Sequence, residues 1–289
     1  MFHGSFVALV TPFKNGAVDL GALDDLCRWH LENGTNGIVP LGTTGESPTI
    51  DADERTEILR TVIARCRGKI PVIAGTGTND TCKTVALTRQ AKELGADGAL
   101  LVTPYYNKPT QEGLFRHFEA VAKAVDLPLV LYNIPGRSAV AIAPETIARL
   151  ARVKGIVAVK EATGNLDNVT LIRQRCDLDI LSGEDSLNWP ILAAGGKGII
   201  SVLANILPRE CAALCAAARS GDLATARALH DRLFPVAKAL FLETNPIPVK
   251  TALRMMGRIT GELRLPLCEM APANAEALAA ALKACGLPV

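Results

Sequence analysis

The feature that most constrains this chain is an eightfold alternation. Short β-branched and apolar runs recur, each followed by turn residues and then by a longer segment of helical period. The runs are FVALVTPF from Phe6, GIVPLGTTG from Gly37, PVIAGTGT from Pro71, GALLVTPYY from Gly98, PLVLYNIP from Pro128, GIVAVKEAT from Gly155, DILSGED from Asp179 and GIISVLAN from Gly198. Between them lie segments such as LGALDDLCRWHLENG, DERTEILRTVIARCRG and TVALTRQAKELG, whose apolar residues repeat every three or four positions and which end at Gly. Strands that alternate with helices form a parallel sheet, and eight such units are the number that closes a (β/α)8 barrel. An open doubly wound sheet is the alternative, although the strand spacing is even and no segment reads as a domain linker. Helical patterns continue afterwards in DLATARALHDRLFPVAKALFLE, PVKTALRMMGRI and NAEALAAALKACG, so about three additional C-terminal helices are predicted. The barrel is placed in residues 1–220 and the helical extension in 221–289, packed beside the barrel or against another subunit.

Charge and composition narrow the function. The 31 basic residues are nearly matched by 29 acidic ones and are scattered, which argues against nucleic-acid or anionic-membrane partners. No apolar stretch is long enough to span a bilayer, and the run Phe6 to Val10 is too brief for a signal-peptide core. A cytoplasmic protein is expected. The eight cysteines are dispersed, with Cys211 and Cys215 the closest pair and no CxxC, so reduced thiols are expected rather than disulfides or a zinc site. His3, His30, His117 and His230 are far apart and none shows ligand spacing, which disfavours metal chemistry. AGTGTN from Ala74 lacks the third glycine of a dinucleotide fingerprint.

Active sites of such barrels lie at the C-terminal ends of the strands, and the unusual residues collect there: GTTGES, TPYYN, YNIPGR, KEATG and SGED. In GIVAVKEATGN, period two places Ala158 and Lys160 on one face and Val157, Val159 and Glu161 on the other. An inward Lys160 sits near the barrel top among tyrosines and threonines. A free lysine is unprotonated in only roughly one molecule in a few thousand near neutrality, so a nucleophilic one needs its ammonium form disfavoured, which an apolar strand supplies. The free amine then attacks a ketone to form a Schiff base. The alternative is a Lys160 that snorkels to the rim or pairs with Glu161 or Glu184. Tyr105, Tyr106 and Tyr132 are the only tyrosines and all fall at strand ends; a phenol can relay the protons that imine formation requires. GTTGES offers two hydroxyls and free N–H groups to a small carboxylate. Arg137, after the rigid NIPG, either clamps a second carboxylate or forms a surface ion pair.

At these residues the sequence resembles the pyruvate-dependent class I aldolases, specifically the dihydrodipicolinate synthase family. The resemblance runs in order over essentially the whole chain, through GSFVALVTPF, GTTGES, GTGTN, TPYYNKPTQEG, YNIPGR, VAVKEATGN, LSGED, NPIPVK and LRLPL. It implies a lyase in which Lys160 forms an imine with pyruvate and Tyr132 is the acid/base, relaying protons through Thr43 to Tyr106. It further implies that Thr43 and Thr44 hold the pyruvate carboxylate, that Arg137 holds the carboxylate of L-aspartate 4-semialdehyde, and that Gly183 and Val202 line the pocket through their backbone. No metal or other cofactor is implied. Tyr106 would reach into a neighbouring subunit's site, in a homotetramer built as a dimer of dimers. Sister enzymes share the lysine, N-acetylneuraminate lyases and other 2-oxo acid aldolases among them, but the lyases typically carry a Ser in the GTTGE-type loop and lack an arginine where Arg137 stands. Ser138 and Ala139 depart from the more usual Thr-Gly. In lysine-inhibited members a His and a Glu stand at the positions of Ala52 and Lys83, while Ser47, Asn79 and Tyr105 are retained; weak or absent inhibition by lysine is therefore expected.

Overall fold

A computed structural model describes residues 1–289. Its eight parallel strands are β1 (Gly4–Ala8), β2 (Gly37–Val39), β3 (Ile73–Gly75), β4 (Gly98–Val102), β5 (Leu129–Asn133), β6 (Ile156–Glu161), β7 (Asp179–Ser182) and β8 (Gly198–Ser201). Seven of the eight predicted runs contain one, and the eighth, FVALVTPF from Phe6, overlaps β1, which begins two residues earlier at Gly4. They pair in the order β2-β1-β8-β7-β6-β5-β4-β3. The ring closes between β2 and β3 through a parallel bridge of Ile38 with Val72, supported by Ile38 N–H to Pro71 O (3.0 Å) and Gly75 N–H to Pro40 O (2.9 Å). The backbones approach closely at this seam: a Cβ on Gly75 would stand 2.1 Å from Leu41 O. The expected FVALVTPF strand is shorter than its run. Pro12 has no N–H for the ladder, and the chain turns at Phe13–Lys14 into a small hairpin with Ala17–Val18.

The helices follow the turn and cap chemistry of the sequence. Helix α1 (Leu20–Glu32) is capped by Asp19, and α2 (Ala52–Cys66) by an Asp51–Glu54 capping box; α3 (Thr81–Leu94) starts at Asp80 and ends at Gly95, whose φ of 97° only glycine adopts readily. The ring continues with α4 (Gln111–Ala124), α5 (Pro144–Leu150), α6 (Leu166–Arg173), α7 (Asn188–Ala193) and α8 (Pro208–Ser220). Three further helices follow: α9 (Leu223–Ala239), α10 (Ile247–Met255) and α11 (Pro272–Ala284). Their apolar faces share one core with α1, α2 and α8, through residues such as Leu26, Leu59, Leu214, Leu240, Leu253 and Leu278. No helix is long and apolar enough to cross a membrane.

Strand alternation sorts side chains into two layers. Phe6, Ile73, Leu100, Val130, Ala158 and Leu181 fill the barrel interior, while Leu101, Leu129, Leu131 and Val159 pack outward against the helices. All eight cysteines are free thiols.

Two buried histidines belong to the helical layer. His30 Nδ1 meets Thr35 Oγ1 and His117 Nδ1 meets Thr81 Oγ1, both at 2.9 Å, and the Nε2 atoms have no partner. Burial depresses their pKa values, to about 3 for His30 and about 4 for His117. An unfolded histidine takes its proton near 6.5, so between that value and the depressed ones the unfolded chain binds more protons. Stability therefore falls as pH drops from about 6.5 towards 4. Replacing His117 with Gln is expected to remove up to about 3 kcal/mol of that loss, measured by urea unfolding at pH 7 and pH 4.

Candidate active site

Lys160 is the penultimate residue of β6, in register with Tyr132 on β5 and Leu181 on β7. It shares its face with Ala158, so it projects into the barrel, where it is only 5% exposed. Its Nζ lies 4.1 Å from the centroid of the Tyr132 ring, a face suited to a cation, and it takes part in no salt bridge. Glu161 faces the other way. Its carboxylate accepts from Asn133 Nδ2 (3.2 Å) and Thr163 N–H (2.9 Å), and burial raises its pKa. Glu184 is engaged by the Ser186 hydroxyl instead (2.9 Å). Neither carboxylate pairs with Lys160. Gly183 gives the lysine stem its room, since a Cβ there would stand 2.7 Å from Lys160 Cε.

The GTTGES loop follows β2 and turns sharply. Leu41 (φ 59°) and Glu46 (φ 53°) both lie in the left-handed region, and the turn is closed by Gly45 N–H to Gly42 O and Glu46 N–H to Thr43 O, each 3.1 Å. The N–H groups of Thr43 and Thr44 donate to no group of the chain. Two adjacent free donors on a tight turn form a cradle for an anion.

The C-terminal helices grip this loop, and sequence reasoning missed the grip. Glu46 and Lys250 form a fully buried ion pair at 2.6 Å; Lys250 also donates to Thr11 O (2.9 Å) and lies 4.2 Å from the Phe13 ring centroid. The second carboxylate oxygen of Glu46 accepts from Arg264 N–H at 3.1 Å. Burial pushes the Lys250 pKa down, and Glu46 pulls it back. Asn245, before α10, donates from Nδ2 to Thr44 Oγ1 at 3.0 Å. That oxygen acts as acceptor here, so the Thr44 hydroxyl hydrogen is left for another partner. A signal was present: Lys250 is the one charged residue in IPVKTAL, whose other residues are apolar except Thr251.

Arg137 stands on a single helical turn, Pro135–Ser138, and donates from Nη2 to Asn245 O at 3.0 Å. Thr43, Arg137 and Asn245 share the wall of a cavity of about 330 Å³ with Ser47, Tyr105 and Arg55. A smaller cavity of about 40 Å³ joins Thr43 to Tyr132. Lys160, Tyr132, Thr43, Thr44, Gly183 and Arg137 thus converge on the barrel mouth. Val202 spends its N–H on Asp185 Oδ2 (2.9 Å) and its carbonyl on Asn205, so its backbone is already partnered. Tyr106 lines neither of these two cavities; it is 90% exposed, with a φ of 73°.

A sequence model of the dihydrodipicolinate synthetase family matches residues 1–285. The chain belongs to this family. It is 54% identical over 285 residues to a 4-hydroxy-tetrahydrodipicolinate synthase of Geobacter metallireducens, covering 98% of each chain. It is 53% identical over 289 residues to the enzyme of that name from Thermodesulfovibrio yellowstonii, covering 99% of each. The crystal structure of dihydrodipicolinate synthase from Aquifex aeolicus superposes with a TM-score of 0.98 at 50% identity, covering 100% of this chain and 99% of that one.

In this member of the dihydrodipicolinate synthetase family, the anion cradle depends on a buried charge pair, and breaking such a pair leaves an uncompensated charge. Lys250→Met is expected to cost about 3–5 kcal/mol in urea unfolding, and the double change Glu46→Gln/Lys250→Met to recover much of it. Equal loss in both variants would show that the charge is not the source.

Proposed function

We propose that this chain condenses pyruvate with L-aspartate 4-semialdehyde to give 4-hydroxy-tetrahydrodipicolinate, on the diaminopimelate route to lysine. The observation that carries the residue assignment is Lys160, a buried amine without a carboxylate partner, beside a phenol and below a cradle of free N–H groups. The Lys160 amine adds to the keto carbon of pyruvate, and water leaves to form an imine. Thr43 and Thr44 hold the pyruvate carboxylate, Thr44 with its spare hydroxyl hydrogen. The imine loses a methyl proton to become an enamine, whose carbon attacks the aldehyde held by Arg137. The amino group of the new chain then attacks the imine carbon, releasing Lys160 and closing the ring. The protonated imine is the electron sink, so the proposed chemistry needs no metal or other cofactor.

Tyr132 serves as the acid/base, with Thr43 next in the relay across the small cavity they share. Tyr106, exposed and outside its own cavity, completes the relay in a second copy of the chain, in an enzyme that works in the cytoplasm as a dimer of dimers. Gly183 leaves space for the lysine stem, and Val202, which the family resemblance assigns to the pocket, stands just past β8 with its backbone held by Asp185 and Asn205. Ala52 and Lys83 are both exposed, and Lys83 presents a cation where lysine-inhibited relatives carry a glutamate.

Incubation with pyruvate followed by borohydride is expected to add the mass of pyruvic acid less one oxygen atom to the peptide containing Lys160, and Lys160→Ala to abolish both the adduct and turnover. An adduct on another peptide, or none, overturns the assignment. Turnover with aspartate semialdehyde is expected to exceed that with N-acetylmannosamine as the partner of pyruvate. L-Lysine at submillimolar concentration is expected to leave the rate unchanged in the same assay.

A further inference from the structure

Arg137 is assigned the aldehyde's carboxylate, yet its own turn does little to hold it in place. The residue is exposed, and its side chain makes one hydrogen bond within the chain, to Asn245 O. The helix beneath it is the single turn Pro135–Ser138, too short to be stable alone. Ala139, which ends that turn, has a φ of 58° and a ψ of 14°. A non-glycine residue adopts this left-handed conformation at a cost, and keeps it only where the surroundings impose it. Within the turn, Ser138 Oγ lies 2.9 Å from Ile134 O and 2.8 Å from Val140 O. The stronger constraint lies at the ends of the segment.

Residues 141–143, just past the turn, are gripped from both sides by carboxamides. Asn133, the last residue of β5, donates from Nδ2 to Ile142 O (3.2 Å) and accepts from Ile142 N–H at Oδ1 (3.0 Å). Gln111, the first residue of α4, donates from Nε2 to Ala141 O (2.8 Å) and accepts from Ala143 N–H at Oε1 (3.0 Å). A strand gives alternating bonds of this kind to its two neighbours, and here two side chains take the neighbours' place. Asn133 is itself oriented, because its Nδ2 also donates to Glu161 Oε2 at 3.2 Å. Glu161 follows Lys160 on β6, so the bonds run from the lysine strand to the arginine turn. Asn133 is 0% exposed and Glu161 1%, and a polar group that loses its partner at such depth is costly.

We propose that Gln111 and Asn133 are positioning residues for the second substrate: by gripping residues 141–143 they set where Arg137 stands relative to Lys160. This step rests on the function proposed above. Neither residue lines the cavity that Arg137 shares with Thr43, or the smaller one between Thr43 and Tyr132, so both act through Arg137 rather than on a substrate. Misplacing a substrate clamp by about 1 Å can cost about a hundredfold in rate. The pyruvate cradle belongs to a different loop, held by Lys250 and Asn245, so the grip governs the aldehyde and leaves pyruvate untouched.

A double-mutant cycle in the full chain tests this, with kcat/KM for aspartate semialdehyde at saturating pyruvate as the readout. Gln111→Met keeps the length of the side chain and removes both of its bonds. It is expected to lower that constant about tenfold, while KM for pyruvate and the borohydride-trapped Lys160 adduct stay unchanged. Asn133→Ala is expected to act in the same direction. Added to Arg137→Ala, Gln111→Met is expected to cost less than about twofold more, since the group it positions is already gone. An equal loss in both backgrounds, or a parallel rise in KM for pyruvate, overturns the proposal. If Asn133→Ala fails to fold, Gln111→Met decides, because Gln111 is only half-buried at the start of its helix. Amide hydrogen exchange in residues 137–143 is expected to quicken in Gln111→Met with β6 unchanged, and unaltered exchange there overturns the grip. If Arg137→Ala leaves the semialdehyde constant intact, the role assigned to Arg137 fails and the proposal with it. If the native chain does not turn over the semialdehyde at all, the proposed function fails, and the exchange measurement still tests the grip.

Discussion

The ion pair between Glu46 and Lys250 is the contact on which the site's geometry depends. It ties a turn near the start of the chain to a helix near its end, across 204 positions. Leu41 and Glu46 hold left-handed backbone conformations that non-glycine residues adopt at a cost. The turn persists because Lys250, Arg264 and Asn245 hold it from outside the barrel. Thr43 and Thr44 consequently keep their N–H groups free. A buried charge pair adds little to net stability, so its value here is in fixing one loop conformation.

The same economy of contacts explains the unpaired lysine. Parallel pairing aligns Lys160 with Tyr132 and turns Glu161 outward, where Asn133 and Thr163 occupy its oxygens. The carboxylate adjacent in sequence is thereby kept away from the amine. Asn133 also holds Ile142 through both its N–H and its carbonyl, which fixes the two ends of the segment carrying Arg137. One strand pair thus orients the amine and the arginine turn together.

Much of this was legible in the residues. The eight strands and three C-terminal helices followed from periodicity and caps, and strand alternation placed Lys160 on the face of Ala158 and opposite Glu161, while which face looks inward was left open until the motifs were taken together. Three things were not legible, for distinct physical reasons. Asn245 and Lys250 act on Thr44 and Glu46 from about 200 positions away, and no local pattern encodes such contacts. Arg55 looks like one more charge on an amphipathic helix until burial separates it from Arg60 and Arg65, which pair with Glu57 and Asp24 at the surface. The end of β1 was misplaced because pairing stops after Leu9, where Val10 N–H turns to the side chain of Asn205, 195 positions away, and nothing local in FVALVTPF marks that change.

The seam of the barrel has a consequence for the order in which the enzyme becomes complete. Strands β2 and β3 meet through a single bridge, and the GTTGES turn rises from that thin joint rather than from a broad wall of the sheet. Its stiffness comes from residues 245–264, which leave the ribosome only after all eight strands. During synthesis the GTTGES turn is made early and finished late, since domains form as the chain emerges from its N-terminus. A nascent barrel with all eight strands in place still lacks the clamp that sets its chemistry.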